Sequence, residues 1–178
     1  MITLTQAKYL PKVLTFGEIK YYIFTFAFTA SAVFIPWLFH QFNLVGPQFL
    51  PMHYFVILAG ILFGWRTGLI VGLLSPLMSY GLTHLPPLMI LPEVTLELAV
   101  YGLTAGLLRE KKFNIWISLL GAMVLGRLAR LFFVLSLGFH TDPIGYFKMS
   151  LAGTVLQIIL IPLFVFVLAK FLKDERAI

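Results

Sequence analysis

The chain is 178 residues long, 60% hydrophobic and only 11% charged, with a formal net charge of +6 and no cysteine. A soluble domain averages about 45–50% apolar and about 25% charged residues, and one this small must still clothe itself in polar groups. The composition excludes a cytosolic enzyme, a disulfide-stapled secreted domain, a thiolate metal site and a disordered regulator. With so few charges, the basic balance points to the bilayer rather than to nucleic acid.

Crossing about 30 Å of hydrocarbon takes roughly 20 helical residues. Residues 1–20 contain Pro11 and Gly17, are weakly amphipathic, and are expected to lie along the inner interface as a lead-in. Six apolar segments follow: Tyr21–Phe39, Leu50–Gly64, Thr67–Leu82, Leu88–Leu108, Asn114–Gly138 and Phe147–Leu172. In the first, Ala30-Ser31-Ala32 has the small-x-small pattern of a signal cleavage site. The apolar run continues through Val33-Phe34-Ile35-Pro36-Trp37, so an uncleaved helix is expected. The second and third segments are short and are joined by the tight turn Gly64-Trp65-Arg66-Thr67. The alternating strands of about ten residues that a membrane barrel needs are absent. The expected fold is an all-α integral membrane protein of six transmembrane helices, forming a single domain over residues 1–178.

Charge orients this bundle. With six crossings, Lys8, Lys12, Lys20, Arg66, Arg109, Lys111, Lys112, Lys170, Lys173 and Arg176, ten of the thirteen basic residues, fall on one side. By the positive-inside rule that side is the cytoplasm, and both termini lie in it. The outer loops hold His40, His53, His84, His140 and Asp142, and no basic side chain before Lys148. Neutral imidazoles there could hold a solute, although an interfacial histidine with water access is the plainer role. Tyr21, Tyr22, Trp37, Trp65, Trp116 and Tyr146 fall near segment ends, as an interfacial aromatic belt requires.

Charges within the apolar segments are expensive, so each is a functional candidate. Glu93 and Glu97 lie one turn apart on the fourth segment, and Arg127 and Arg130 share a face of the fifth. Their depths predict pairs Glu97–Arg127 and Glu93–Arg130, or one four-charge network. Its plainer role is to lock the two helices together. Two outer-loop runs stand beside it. One is Gly46-Pro47-Gln48-Phe49-Leu50-Pro51-Met52-His53, stiffened by two prolines; the other is Tyr80-Gly81-Leu82-Thr83-His84-Leu85-Pro86-Pro87-Leu88-Met89. Small-residue pairs Ala27-xxx-Ser31, Gly60-xxx-Gly64, Gly68-xxx-Gly72 and Gly102-xxx-Gly106 mark close helix approaches. No metal-ligand spacing, Gly-x-Ser-x-Gly setting or nucleotide-binding loop occurs, so no metal, no cofactor and no enzymatic activity are expected.

In this setting the sequence resembles the substrate-binding S components of energy-coupling factor (ECF) vitamin transporters. The resemblance rests on Gly46–His53, Gly72-Leu73-Leu74-Ser75-Pro76-Leu77, Leu85-Pro86-Pro87, Glu97-Leu98-Ala99-Val100-Tyr101-Gly102 and Gly126-Arg127. It implies an importer subunit of the bacterial cytoplasmic membrane that binds a vitamin or related micronutrient at the outer face. It also implies a membrane coupling subunit and two ATPases as partners, which supply the ATP chemistry. On this reading Phe49, Met52, His53, Tyr80 and His84 line the pocket, and Glu93 and Arg130 offer polar contacts supported by Glu97 and Arg127. Ala27 and Ser31 are the nearest match to the small-residue motif that contacts the coupling subunit. A stand-alone secondary transporter and a ligand-free membrane scaffold are the alternatives, and the broken-helix repeats of the former are not evident.

Overall fold

A computed structural model describes residues 10–42, 46–137 and 142–174, which among themselves form helices and no strands. In chain order they are α1 (Ile19–Gln41), α2 (Gly46–Phe49), α3 (Pro51–Phe63), α4 (Trp65–Thr83), α5 (Leu91–Glu110), α6 (Ile115–Leu137), α7 (Pro143–Met149) and α8 (Leu151–Asp174). Four of them, α1, α5, α6 and α8, are long and apolar enough to cross a membrane. The 13-residue α3 is shorter, but nearly all of it is buried among the other helices, so it meets protein where they meet lipid.

The centre of the bundle is α3, α4 and α5, drawn together by glycines. Lipid tails are as apolar as leucine, so helices associate in a membrane through close packing. A methyl group at Gly60 would come within 2.6 Å of the Gly102 carbonyl oxygen. The backbones of Gly68 and Gly102 lie directly against each other, Gly72 against Leu98, and Gly106 against Trp65. The glycine pairs in α3, α4 and α5 therefore serve contacts inside this chain. Around them pack Val56, Ile57, Ile61, Phe63, Leu98, Tyr101, Ala105 and Leu119, with the Phe24 ring of α1 stacked on Phe63 at 4.4 Å.

The turn between α3 and α4 is tighter than the sequence suggests. Gly64 alone makes it, with φ +98°, a conformation that disfavours any side chain; Trp65, Arg66 and Thr67 already belong to α4. The Glu110 carboxylate accepts the otherwise orphaned Trp65 N–H at 3.1 Å. Arg109 donates to the Ile61 carbonyl at 3.2 Å and to the Pro11 carbonyl at 2.5 Å. Leu14 is buried and donates its N–H to the Phe63 carbonyl at 3.0 Å. The described part of the lead-in is thus strapped over the basic end of α3 and α5.

Two other expectations shift. The sixth apolar segment is divided, with α7 ending before Ser150 and the long helix starting at Leu151. Tyr21 sits in the bundle at 3% exposure, edge-on to Phe16 and Tyr22, and not in an exposed belt.

Candidate functional site

The hairpin of α5 and α6 builds the site. Phe113 N–H donates to the Leu108 carbonyl, and the Asn114 side chain accepts the Ile117 N–H at 2.7 Å, starting α6 cleanly. A methyl group at Gly126 would meet the Tyr101 ring at 2.9 Å, so glycine lets α6 approach α5 beside Glu97. Counted from the turn at Lys112 and Phe113, Arg127 is level with Glu97, and Arg130 falls midway between Glu93 and Glu97.

That register gives one network. Arg130 donates through Nη2 to Glu93 Oε1 at 2.6 Å and through Nη1 to Glu97 Oε2 at 3.0 Å. Arg127 Nε lies 3.4 Å from Glu97 Oε1, and His53 Nε2 of α3 lies 3.8 Å from the same oxygen. Both expected pairs are present, with Arg130 bridging the acids in addition. Glu93, Glu97 and Arg130 are buried and Arg127 is nearly so. Two acids and two arginines balance formally, which is what lets four charges leave water together.

The network has walls that the sequence reading did not supply. The Tyr146 ring of α7 lies over the Arg130 guanidinium at 3.5 Å and within 5.4 Å of Arg127; Phe147 lies within 5.9 Å of Arg127. This is a cation–π cover where the sequence suggested a belt residue. On the α8 side, Arg127 Nη2 donates to Thr154 Oγ1 at 3.3 Å. Tyr101 sits edge-on to His53 at 5.2 Å. The missed signal was faint but real: Thr154 and Gln157 are a polar pair, three residues apart, in the most apolar of the four candidate spans.

The remaining sequence candidates are spread more widely. His53 is 3% exposed and joins the charged network, so it is not the water-accessible interfacial side chain expected of an outer loop. Met52 packs partly buried against the apolar core. Tyr80 and His84 meet edge-on at 5.9 Å at the end of α4, and neither side chain has a hydrogen bond or ion pair among the described residues. Phe49, Ala27 and Ser31 line a different feature, an apolar groove of about 710 Å³ between α1, α3 and α8, which also takes in Tyr54 and Leu160. His140 lies outside the described residues.

Chemically, the network is a preorganised set of charged donors and acceptors, paired with one another under an aromatic cover. Among the described residues no group of three or more His, Cys, Asp or Glu is placed to hold a metal ion. No curated protein and no solved structure matches the chain. A family model, that of the ECF transporter substrate-specific component, matches residues 13–172. The chain belongs to that family, whose members are membrane subunits that bind a transported solute and are not enzymes.

Proposed function

We propose that this protein is the substrate-binding subunit of an ATP-driven ECF-type importer in a bacterial cytoplasmic membrane. It captures a vitamin-like micronutrient at the outer face and passes it inward with a coupling subunit and two ATPases. The observation that carries this is the buried network of Glu93, Glu97, Arg127 and Arg130 under Tyr146 in a chain of this family. A helix lock alone would not call for an aromatic ring laid over a guanidinium at 3.5 Å or for a histidine brought to the same carboxylate.

Six crossings with both termini cytoplasmic accompany this reading. The central α3 crosses shielded by protein, α4 crosses with Leu74, Leu77, Met78 and Leu82 exposed on one face, and the end carrying Arg66, Arg109, Lys111 and Lys112 faces the cytoplasm. The site then lies toward the outer face, where α2 and α7 lie beside each other over the bundle. The α1–α8 groove, with Ala27 exposed and Ser31 half-buried, is the membrane face offered to the coupling subunit.

Uptake of a panel of radiolabelled vitamins into vesicles tests the proposal, with the protein reconstituted alone and with its coupling module. ATP-dependent accumulation of one vitamin only with the full module is expected. Accumulation by the protein alone would establish the stand-alone transporter instead. Failure to bind or move any solute would leave the scaffold.

A further inference from the structure

The charged network accounts for the arginines and glutamates but not for Gln157. This side chain has no solvent exposure, and neither its amide nitrogen nor its amide oxygen has a hydrogen-bond partner among the described residues. An amide offers two donors and an acceptor with two lone pairs. Burying all of them unpaired is among the more expensive things a helix can do, and leucine at the same position would avoid it.

Its place on α8 shows where it belongs. Thr154, one turn earlier on the same face, takes the hydrogen bond from Arg127, and Gly153 beside it accepts the Tyr54 hydroxyl at 3.5 Å. That face of α8 therefore looks onto α3 and α6, where His53 and Arg127 converge on Glu97. Gln157 follows Thr154 by about 4.5 Å along the helix, given the rise per residue. The deeper residues of the face, Ile161, Val165 and Ala169, are apolar and buried. Gln157 is the last polar group before the sealed part of the bundle.

We propose that Gln157 is a specificity-determining residue for the solute, and that the solute is net-neutral with an amide- or lactam-type edge. This rests on the reading of the protein as a substrate-binding subunit. The edge's carbonyl accepts from the Gln157 amide nitrogen, and its N–H donates to the Gln157 oxygen. Neutrality follows from the charge balance: the two acids and two arginines already compensate each other, so a net-charged solute would leave a buried charge unanswered.

The test uses a deproteinised small-molecule extract of the expressing cells, separated by ion exchange into neutral, anionic and cationic fractions. Thermal unfolding of the purified full chain is followed with each. Stabilisation by the neutral fraction is expected; stabilisation by a charged fraction alone overturns the proposal. Gln157→Leu and Gln157→Met are expected to unfold no earlier than wild type without extract. They should need about tenfold or more of the neutral fraction for the same shift, because the solute's edge is left unpaired. A full wild-type response in both variants would overturn the role of Gln157 while leaving the binding reading intact. Stabilisation by no fraction would instead remove the binding reading itself.

Discussion

Replacing Glu97 by glutamine probes the network where it is most concentrated. The Glu97 carboxylate faces Arg130 at 3.0 Å, Arg127 at 3.4 Å and His53 at 3.8 Å, with no solvent exposure. Glutamine keeps the volume and removes the charge, so two buried guanidiniums are left with Glu93 alone. Removing one partner of a buried pair costs roughly 3–5 kcal/mol. For a chain of this length about 2–4 °C of unfolding temperature accompanies each kcal/mol, so a fall of roughly 6–20 °C is expected in detergent. The double variant Glu97→Gln with Arg127→Gln restores the balance and should recover at least half of that loss. Thermal unfolding of wild type, both single variants and the double variant closes the cycle. A single-variant loss below about 2 °C, on the same scale, would refute the reasoning. So would a double variant no more stable than Glu97→Gln.

Other consequences follow from the packing and the cover. Gly102→Leu should prevent α4 and α5 from closing and abolish recovery of monodisperse protein, whereas Gly81→Ala, with open space around it, should behave as wild type in size-exclusion chromatography. Tyr146→Phe keeps a ring over Arg130 and should keep solute binding; Tyr146→Ala should weaken it by roughly 0.5–2 kcal/mol, read as a shifted titration midpoint in a binding assay. Ala27→Leu combined with Ser31→Leu should fill the α1–α8 groove and stop ATP-dependent uptake while leaving solute binding unchanged, measured on the same preparation.

Much of this architecture was legible because lipid imposes simple rules. Segment length and the one-sided distribution of basic residues outline a helical bundle, and four charges in apolar segments stand out because they are costly there. Matched depth on consecutive helices was enough to pair Glu97 with Arg127 and Glu93 with Arg130. The bridge from Arg130 to Glu97 was missed because a guanidinium midway between two carboxylates can serve both, which a pairwise depth comparison does not consider. The glycine pairs were visible, but spacing alone could not say whether they serve contacts within the chain or with a partner. Those of α3, α4 and α5 turn inward; Ala27 and Ser31 line an open groove.

The rest depended on contacts between distant parts of the chain. Tyr146 looks like any belt aromatic until α7 turns back over Arg130. His53 follows a proline-rich run that suggests an exposed loop, yet Pro51 starts α3 and carries the imidazole inside. Gln157 is one polar residue in a long apolar helix, and only its burial without partners gives it meaning. Tyr80 and His84 are placed at the pocket only by what the resemblance implies; the structure gives them each other, at the end of α4.

Native mass spectrometry of gently purified wild type, beside the charge-balanced Glu97→Gln and Arg127→Gln double variant, addresses the central claim directly. The account predicts one small molecule carried per wild-type chain and none on a double variant that remains folded. Retention of the same molecule at wild-type occupancy by the double variant would contradict it and reduce the network to a lock between α5 and α6.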